Sequence, residues 1–424
     1  MPSSTAFRRA VAVVVAAALG AVTLAEASSP PKQSGGRMRK AISYQPLTFA
    51  QIPSWEEDDH AAAFKAFRKS CDRVLAAAGE RAAAADKAPA PAPPPPALVA
   101  ACAAASGLAD PVAKAGAKAF FERHFTPNAV THGGPQGLLT GYYEPVMLGS
   151  RTPQGEFQTP IYKRPPDLVN LVDETQRSAV GTLSHARKTK KGVEPYATRA
   201  AIEQGALKNK NLELVYFADP VDVFFMQIQG SGRVKLTDGS VIRVHYDGKN
   251  GHRYSSIGRY LIEKGLLAAD KISMGALKQW LKADPERGKK VMWQNASYVF
   301  FRELTGAEAK GPLGAMNATL TPGRSLAVDP GHHPLGLPIY VCAAGMKHVN
   351  KATGAFNRLM VAQDVGSAIK GPERGDIYFG SGDAAGRLAG VTKHPGKFIV
   401  LLPNETPARA EAAPDKAAAE KARQ

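Results

Sequence analysis

The chain has 424 residues, of which 44% are hydrophobic, so it is long enough for two or three domains with a substantial core. Lys and Arg number 54 against 37 Asp and Glu, which gives a net charge of +17. The apolar content excludes a fully disordered chain, and three cysteines are too few for a disulfide scaffold or a Cys-rich zinc module. The basic residues are scattered, which argues against nucleic-acid binding. An anionic wall polymer is a better electrostatic partner, but the charge alone does not select it.

The N-terminus has the pattern of an export signal. Arg8 and Arg9 precede a short apolar stretch from Ala10 to Ala25, and Ala25-Glu26-Ala27 is a small-x-small cleavage site. We expect residues 1–27 to be a signal peptide; a retained membrane anchor is the alternative. No cysteine lies near the cleavage point, so a lipid anchor is not expected there. An exported protein can form disulfides, and Cys71 and Cys102 are the candidates for a bridge, the alternative being two free buried thiols.

The predicted elements begin with a lead-in at Ser28–Gln51 that we expect to be disordered. Helices are predicted at Asp59–Arg81 and from Asp110-Pro111 onward, with Phe120, Phe121 and Phe125 buried. The Ala/Pro-rich linker 82–97 separates them. Short strands are predicted at Gly137–Val146 and Phe157–Lys163, followed by a helix at Thr198–Leu207 with Thr198 as its cap.

The middle of the chain predicts a β-region from Asp222 to Tyr246. Val223–Ile228 has a strand pattern, and Asp238-Gly239 predicts a hairpin. Helices are expected at Ser256–Leu267, at Ser273–Ala283 and after Asp284-Pro285. Strands then return, at the following predicted positions: Leu326–Val328, Pro338–Ala343, Asn357–Gln363, Ile377–Phe379 and Phe398–Leu402. Short strands with tight turns favour a closed barrel over an open sheet.

Acids among glycines are the most informative chemical feature of the C-terminal half. Asp329, Asp364 and Asp376 are spaced through it, and Asp376 directly precedes a bulky apolar strand. Burial beside such a strand raises the pKa of a carboxyl group and lets it donate a proton, whereas an ordinary Asp there only caps a turn. The adjacent His332 and His333 would point to opposite faces of a strand, so the sequence favours a turn or rim pair over a zinc pair.

Four motifs together carry a family resemblance. They are LLTGYYEP (138–145), FFMQIQGSGR (224–233), NASYVFF (295–301), and the acid motifs DVGSAIKG (364–371) with GDIYFG (375–380). In this order they resemble the lytic murein transglycosylase A family with its three-aspartate domain. The chain has one more residue between the second and third acids than the family's form, and it lacks the lipid-anchor cysteine.

The resemblance implies a mainly β fold with peripheral helices, in which a double-psi β-barrel carries an inserted β-rich domain and a substrate groove lies between the two. The expected divisions are as follows: signal peptide 1–27, lead-in 28–54, helices and first part of the barrel 55–164, inserted domain 165–300, second part of the barrel 301–404, and tail 405–424.

The resemblance also implies the chemistry: cleavage of the peptidoglycan glycan strand in the periplasm of a Gram-negative bacterium, with no metal or cofactor and with cell-wall synthesis or division proteins as further partners. Asp376 would be the catalytic acid. The supporting or substrate-binding residues would be Asp364, Asp329, Tyr142, Glu144, Gln227, Gln229, Ser231 and Lys370. The alternatives are structural roles: Tyr142 would pack in the core, Gln227 and Gln229 would belong to a strand face, and Glu144 would orient the turn before Pro145. A wall-binding protein without catalysis and a glycoside hydrolase are the rival functions.

Overall fold

The computed structural model of the protein describes residues 42–83, 93–172 and 183–405. The predicted signal peptide, most of the lead-in, the middle of the Ala/Pro linker and the C-terminal tail lie outside the described residues. Eighteen strands are present in the described part, as follows: β1 (Ser43–Pro46), β2 (Phe125–Thr131), β3 (Leu138–Glu144), β4 (Val146–Gly149), β5 (Thr159–Tyr162), β6 (Leu168–Asn170), β7 (His185–Thr189), β8 (Gly192–Glu194), β9 (Glu213–Phe217), β10 (Ser231–Leu236), β11 (Val241–Lys249), β12 (Val299–Leu304), β13 (Ser325–Val328), β14 (Pro338–Ala343), β15 (Phe356–Val365), β16 (Arg374–Ser381), β17 (Lys393–Pro395) and β18 (Lys397–Pro403).

The helices of the described residues surround these strands. They are α1 (His60–Ala83), α2 (Pro96–Ser106), α3 (Lys114–His124), α4 (Arg199–Ala201) with a wider turn at Ile202–Ala206, α5 (Pro220–Gln229), α6 (Ile257–Glu263), α7 (Met274–Lys282), α8 (Pro285–Met292) and α9 (Gly382–Val391). Short 3₁₀ turns lie at Phe49–Gln51 and Gly306–Lys310. The predicted mainly β fold with peripheral helices is therefore confirmed.

A nine-stranded sheet holds Asp364 on β15 and Asp376 on β16, and Asp329 directly follows its strand β13. Its strand order is β1-β2-β18-β14-β15-β13-β16-β3-β17. Strand β16 lies between β13, to which it is antiparallel, and β3, to which it is parallel. Asp376 is thereby aligned with Ala327 on one side and with Thr140 on the other. Closure of a six-stranded double-psi barrel within this order stays a prediction.

The segment between β3 and β13 forms the inserted β-rich layer. Its main sheet has the order β12-β11-β10-β4, and β5–β9 and β6–β7–β8 form two smaller sheets. Apolar side chains from these strands and from α5 form one core; they include Val215, Phe217, Met226, Val244 and Phe301. A separate aliphatic core, with Leu326, Ile339 and Val400 among its members, lies within the nine-stranded sheet.

Helices α1 to α3 cover one part of the nine-stranded sheet. Aromatic rings of α1 and α3, among them Phe64, Phe67 and Phe121, pack with buried residues of β14, β15 and β18. A disulfide joins Cys71 of α1 to Cys102 of α2, which is the pairing expected from the sequence. It closes a loop across the linker and holds the two helices against one another.

Three predicted elements were wrong or misplaced. Part of the lead-in is ordered, because β1 pairs with β2, a partner far away in the sequence. The helix expected from Asp110-Pro111 begins at Lys114; Asp110 lies 3.5 Å from Arg68 and does not cap α3. The same helix ends at His124, so Phe125, which was expected on its buried side, is instead buried as the first residue of β2.

The third error concerns Val223–Ile228, which is helical and not a strand. Asp219 caps the helix by accepting a hydrogen bond from the Val221 amide at 2.7 Å, and Pro220 occupies the first turn. Gly230, with a φ of 80°, ends α5 in the left-handed conformation that favours glycine. The continuous run of large apolar residues fits a helix buried on most sides, for which period-two and period-3.6 patterns cannot be distinguished.

Candidate active site

A groove of about 400 Å³ runs between the nine-stranded sheet and the inserted layer. Asp376, Asp364 and Tyr142 line it from the sheet side, while Gln227 and Ser231 line it from the inserted side. Gln229 lines it as well, so six residues that the sequence selected from three separate motifs meet in one cavity. A second cavity of about 290 Å³ adjoins it, and Tyr142, Gln229 and Asp376 line this cavity too.

Asp376 is held at the groove by its neighbours in the sheet. The hydroxyl of Thr140, on the adjacent strand β3, donates a hydrogen bond of 2.5 Å to Asp376 Oδ1. Arg374 Nη2 donates in turn to the Thr140 oxygen at 2.8 Å, which orients that hydroxyl toward the carboxyl group. These two hydrogen bonds fix Oδ1 of Asp376. The other carboxyl oxygen, Oδ2, is therefore the one on which we expect the proton.

The pKa of Asp376 is raised from 3.8 to about 6. The main cause is burial, which disfavours the charged form, and the negative charge of Asp364 adds to the rise. The Arg374 guanidinium and the Thr140 hydrogen bond act in the opposite direction and lower it. The result is a carboxyl group that can hold a proton in mildly acidic to neutral surroundings and can also lose it, as a group that acts as both acid and base requires.

Tyr142 lies at the junction of the two cavities, as a largely buried residue of β3. Its ring packs against Tyr378 with centroids 5.3 Å apart. Burial raises the pKa of its hydroxyl well above the usual value, and the nearby Asp364 and Asp376 charges raise it further. Tyr142 is therefore a neutral hydrogen-bonding group beside the two carboxyl groups.

The three aspartates do not share one position. Asp364 lines the groove, where its Oδ1 accepts hydrogen bonds from the backbone amides of Ala315 at 2.9 Å and Val365 at 2.8 Å. Asp329 is buried and is not among the groove residues. It accepts hydrogen bonds from the Gly331 and Gly371 amides at 3.1 and 2.8 Å, so it ties two loops of the sheet together.

Gln227, Gln229 and Ser231 surround the C-terminal end of α5, where the chain enters β10. Gln227 and Ser231 are buried and line the groove. The amide oxygen of Gln229 already accepts a hydrogen bond of 3.0 Å from the Tyr143 backbone, so it positions β3 against α5. These residues lie on a helix end and the strand that follows, not on one strand face.

Two more of the predicted residues, besides Asp329, lie away from the groove lining. Glu144 is fully buried and accepts hydrogen bonds from Arg243 Nε at 2.8 Å and from the Ser381 hydroxyl at 2.5 Å. It thus joins the end of β3 to the inserted layer. Lys370 is exposed and lies in the loop that follows the groove-lining residues 364–369.

The sequence interpretation missed several polar residues of the site. Thr140 and Arg374 belong to motifs that were recognised, but their contact with Asp376 depends on the pairing of β3 with β16. Arg164 and Lys249 line the inserted wall of the groove and belong to no recognised motif. Of the two adjacent histidines, His333 is buried, and its Nε2 hydrogen-bonds to the Pro372 carbonyl oxygen at 2.6 Å.

Comparison with known proteins places this geometry in a family. Residues 138–302 match the family described as the MltA specific insert domain, and residues 324–402 match the 3D domain. A crystal structure of membrane-bound lytic murein transglycosylase from Agrobacterium tumefaciens is 34% identical, and the match covers 90% of this chain and 100% of that one, with a TM-score of 0.74. The chain belongs to the lytic murein transglycosylase A family.

Two further members bear on the site. The membrane-bound lytic murein transglycosylase A of Escherichia coli K12 is 38% identical over 266 residues, which are 62% of this chain. The chain spans 65% of the length of that curated relative. The structure of Escherichia coli MltA with bound chitohexaose is 28% identical to this chain, with a TM-score of 0.57, and covers 87% of it and 93% of its own chain. Within residues 42–83, 93–172 and 183–405, no helix is both long and apolar enough to cross a bilayer.

Proposed function

We propose that this protein is a peptidoglycan lytic transglycosylase. It cleaves the β-1,4 bond between N-acetylmuramic acid and N-acetylglucosamine and leaves 1,6-anhydro-N-acetylmuramic acid ends. The observation that carries the proposal is Asp376, a carboxyl group whose pKa of about 6 and position in a groove suit proton transfer to a bound glycan. Membership of the transglycosylase family and the names of its relatives support the same reaction.

In the first step Asp376 acts as a general acid. Its proton moves to the oxygen that bridges the two sugars, and the bond from that oxygen to C1 of the muramic sugar breaks. Positive charge develops at C1, and the anionic Asp364 in the same groove stabilises it. The hydrogen bond from Thr140 then stabilises the carboxylate that Asp376 has become.

In the second step the same residue acts as a general base. The Asp376 carboxylate takes the proton of the C6 hydroxyl of the muramic sugar, and the C6 oxygen bonds to C1. The acid is thereby restored, and no water enters the product. One carboxyl group suffices because the nucleophile belongs to the substrate, whereas ordinary glycosidases use a pair of carboxyl groups.

The groove walls hold the glycan in place for this reaction. Tyr142, Gln227 and Ser231 supply hydrogen-bonding groups from both sides of the groove. Gln229, Glu144 and Asp329 act indirectly, by holding β3, the inserted layer and the loops of the nine-stranded sheet in register. Lys370 keeps a supporting role at the edge of the loop that carries Asp364.

Hydrolysis is the second candidate function, and one observation favours it. Asp364 brings a second carboxyl group into the groove that Asp376 occupies, and a second carboxylate is what an inverting or retaining glycosidase needs. A wall-binding protein without catalysis is the third. The burial that raises the pKa of Asp376 argues against it, since an isolated binding surface does not require a proton donor.

Digestion of purified sacculi in water enriched in ¹⁸O separates the three functions. Wild-type protein should release muropeptides with unlabelled anhydro ends, which are about 20 mass units lighter than the ¹⁸O-labelled reducing ends that hydrolysis would give. Asp376→Asn should release none and should keep its fold, while Asp270→Asn, a matched change at an exposed position, should retain wild-type activity. Labelled reducing ends would establish hydrolysis, and intact glycan with the wild-type protein would leave binding alone.

We infer that the protein is exported and acts in the periplasm of a Gram-negative bacterium on glycan strands of the wall. The support is the export pattern of residues 1–27 and a relative described as membrane-bound. Recruitment by cell-wall synthesis or division proteins stays a prediction, as do the domain limits at residues 164 and 300. Fractionation of cells that produce the full chain, with detection of the cleaved N-terminus, tests the location.

A further inference from the structure

The two cavities of the site share part of their lining. In the described part of the chain, five residues line both of them: Tyr142, Ile228, Gln229, Tyr254 and Asp376. Asp376 and Tyr142 belong to strands of the nine-stranded sheet, whereas Ile228 and Tyr254 come from the inserted layer. A glycan that occupies both cavities therefore passes Asp376 on the sheet side and Ile228 and Tyr254 on the inserted side.

Ile228 is an apolar residue that α5 leaves outside the cores of the described residues. The other large apolar residues of this helix are buried in two such cores, as follows: Val221, Val223, Phe224, Phe225 and Met226. Ile228 belongs to neither core and is 38% exposed. A lone exposed apolar residue is ordinary on a protein surface, but this one lines both cavities beside Asp376, where it can contact an apolar face of a ligand.

Tyr254 lies on the segment between β11 and α6, which the NASYVFF motif holds in place. The side-chain oxygen of Asn295 accepts a hydrogen bond from the Ser255 amide at 3.1 Å. At the start of the segment, the side-chain oxygen of the fully buried Asn250 accepts one from the Tyr298 amide at 2.9 Å. Connecting segments are usually mobile, but this one is tied down at both ends, so Tyr254 is positioned at the cavities before a ligand binds.

Tyr254 brings an aromatic ring to the site and not a proton donor. Burial is the main cause of the raised pKa of its hydroxyl, while a hydrogen bond with the Ser256 side chain and the Arg199 charge act to lower it. The hydroxyl is therefore protonated at neutral pH and does not compete with Asp376 for the proton of the reaction. Sugar rings carry C–H groups on their faces, and these pack against aromatic and aliphatic side chains such as Tyr254 and Ile228. The second cavity continues this apolar lining with Phe225, Ile257, Ile272, Met274 and Leu277.

Ring closure makes a demand that an apolar wall at this point meets. Once the bond between C1 and the bridging oxygen breaks, C1 can bond to the C6 oxygen of the same sugar or to the oxygen of a water molecule, and either one gives its proton to the Asp376 carboxylate. Closure requires the C6 group to lie over C1 on the same face of the ring, so the sugar must leave its relaxed chair. Side chains packed on the ring hold that shape and keep water away from C1.

We propose that Ile228 and Tyr254 form an apolar wall that contacts the muramic sugar across from Asp376 and makes ring closure prevail over hydrolysis. This rests on the proposed function and deepens it, because it assigns the choice of nucleophile to two residues of the inserted layer. The second carboxyl group of the groove, Asp364, does not decide that choice by itself, since a water molecule must first reach C1.

Product analysis in ¹⁸O-enriched water, with soluble peptide-free glycan strands as the substrate, tests the wall. The ratio of labelled reducing ends to anhydro ends is measured for the wild type, Ile228→Ala and Tyr254→Ala. We expect each variant to raise this ratio about tenfold and to lower kcat for anhydro release, because a sugar that shifts loses its reactive geometry and admits water. Ile228→Leu and Tyr254→Phe keep the apolar contact and should recover most of the wild-type ratio.

Controls separate the wall from general loss of structure. Leu266→Ala removes an exposed aliphatic side chain and Tyr260→Ala a partly buried tyrosine of α6, and neither residue lines the two cavities. Both should keep the wild-type product ratio, even if Tyr260→Ala lowers the melting temperature. Binding of chitohexaose, measured in the Asp376→Asn background, should weaken about tenfold with Ile228→Ala or Tyr254→Ala and stay within about twofold in the two controls.

The wild type and the variants answer different questions. Labelled reducing ends from the wild type would refute the proposed reaction, and the role of the wall with it. Anhydro ends from the wild type together with an unchanged ratio in Ile228→Ala and Tyr254→Ala, or an equal rise in Leu266→Ala and Tyr260→Ala, would overturn the wall alone. A rise in only one wall variant would exclude the other residue from this role. Since Ile228 is exposed, Ile228→Ala decides the question if Tyr254→Ala does not fold.

Discussion

Replacement of Asp376 by Asn should stabilise the protein at neutral pH while it removes activity. The wild-type carboxyl group has a pKa of about 6 in the folded protein, against 3.8 for the unperturbed side chain. Between these two values the folded state holds a proton that the unfolded state has lost. Stability contributed by this group is therefore complete below pH 4, decreases as the pH rises, and is lost above pH 6.

The size of the effect follows from the shift. A difference of roughly two pKa units, at 1.36 kcal/mol per unit, corresponds to about 3 kcal/mol as an upper limit. The asparagine never ionises, and its side-chain oxygen can still accept the hydrogen bond from Thr140. Since the groove admits some water, we expect Asp376→Asn to exceed the wild type by about 1–3 kcal/mol at pH 7 and to match it at pH 4.

Urea unfolding of both proteins at pH 4, 5, 6 and 7 measures this difference directly. The difference should grow between pH 4 and 6 and stay constant above, while Asp270→Asn, at an exposed position, should track the wild type throughout. A difference that is independent of pH, or one in which the variant is less stable at pH 7, would refute the argument that burial dominates the electrostatics of Asp376.

Two further changes test the surroundings of the site. Thr140→Val removes the hydrogen bond that lowers the pKa of Asp376, so the alkaline limb of the pH–rate profile should move to higher pH by about one unit. Thr140→Ser keeps the hydroxyl and should leave the limb in place. An unchanged limb in the valine variant would contradict the role of this hydrogen bond. Glu144→Gln removes the fully buried anion that pairs with the partly buried guanidinium of Arg243 and should cost about 3 kcal/mol in urea unfolding. Glu303→Gln, which breaks an ion pair near the surface, should cost less than about 1 kcal/mol. Equal costs would argue against Glu144 as the link between the layers.

Local patterns in the chain predicted many of the elements correctly. Thr198 accepts the hydrogen bond expected of a cap, and Ser256, Ser273 and Asp284, where further helices were expected to start, cap their helices in the same way, because capping depends on residues three positions apart. The hairpin at Asp238-Gly239 joins β10 to β11 for the same reason. Where the local signal was ambiguous, as in the apolar run of α5, a buried helix was mistaken for a strand.

The site shows the same division between local and distant information. Sequence alone selected Asp376, Asp364, Tyr142 and the residues around Gly230, through four motifs in the order of a known family. Only the tertiary structure decided that Asp364 shares the groove of Asp376 while Asp329 ties loops outside it. The contact from Thr140 to Asp376 joins residues 236 positions apart, and it exists because β3 pairs with β16 in one register. The pKa of Asp376 has the same origin, because desolvation depends on everything that surrounds a carboxyl group in space, and no linear pattern contains that information.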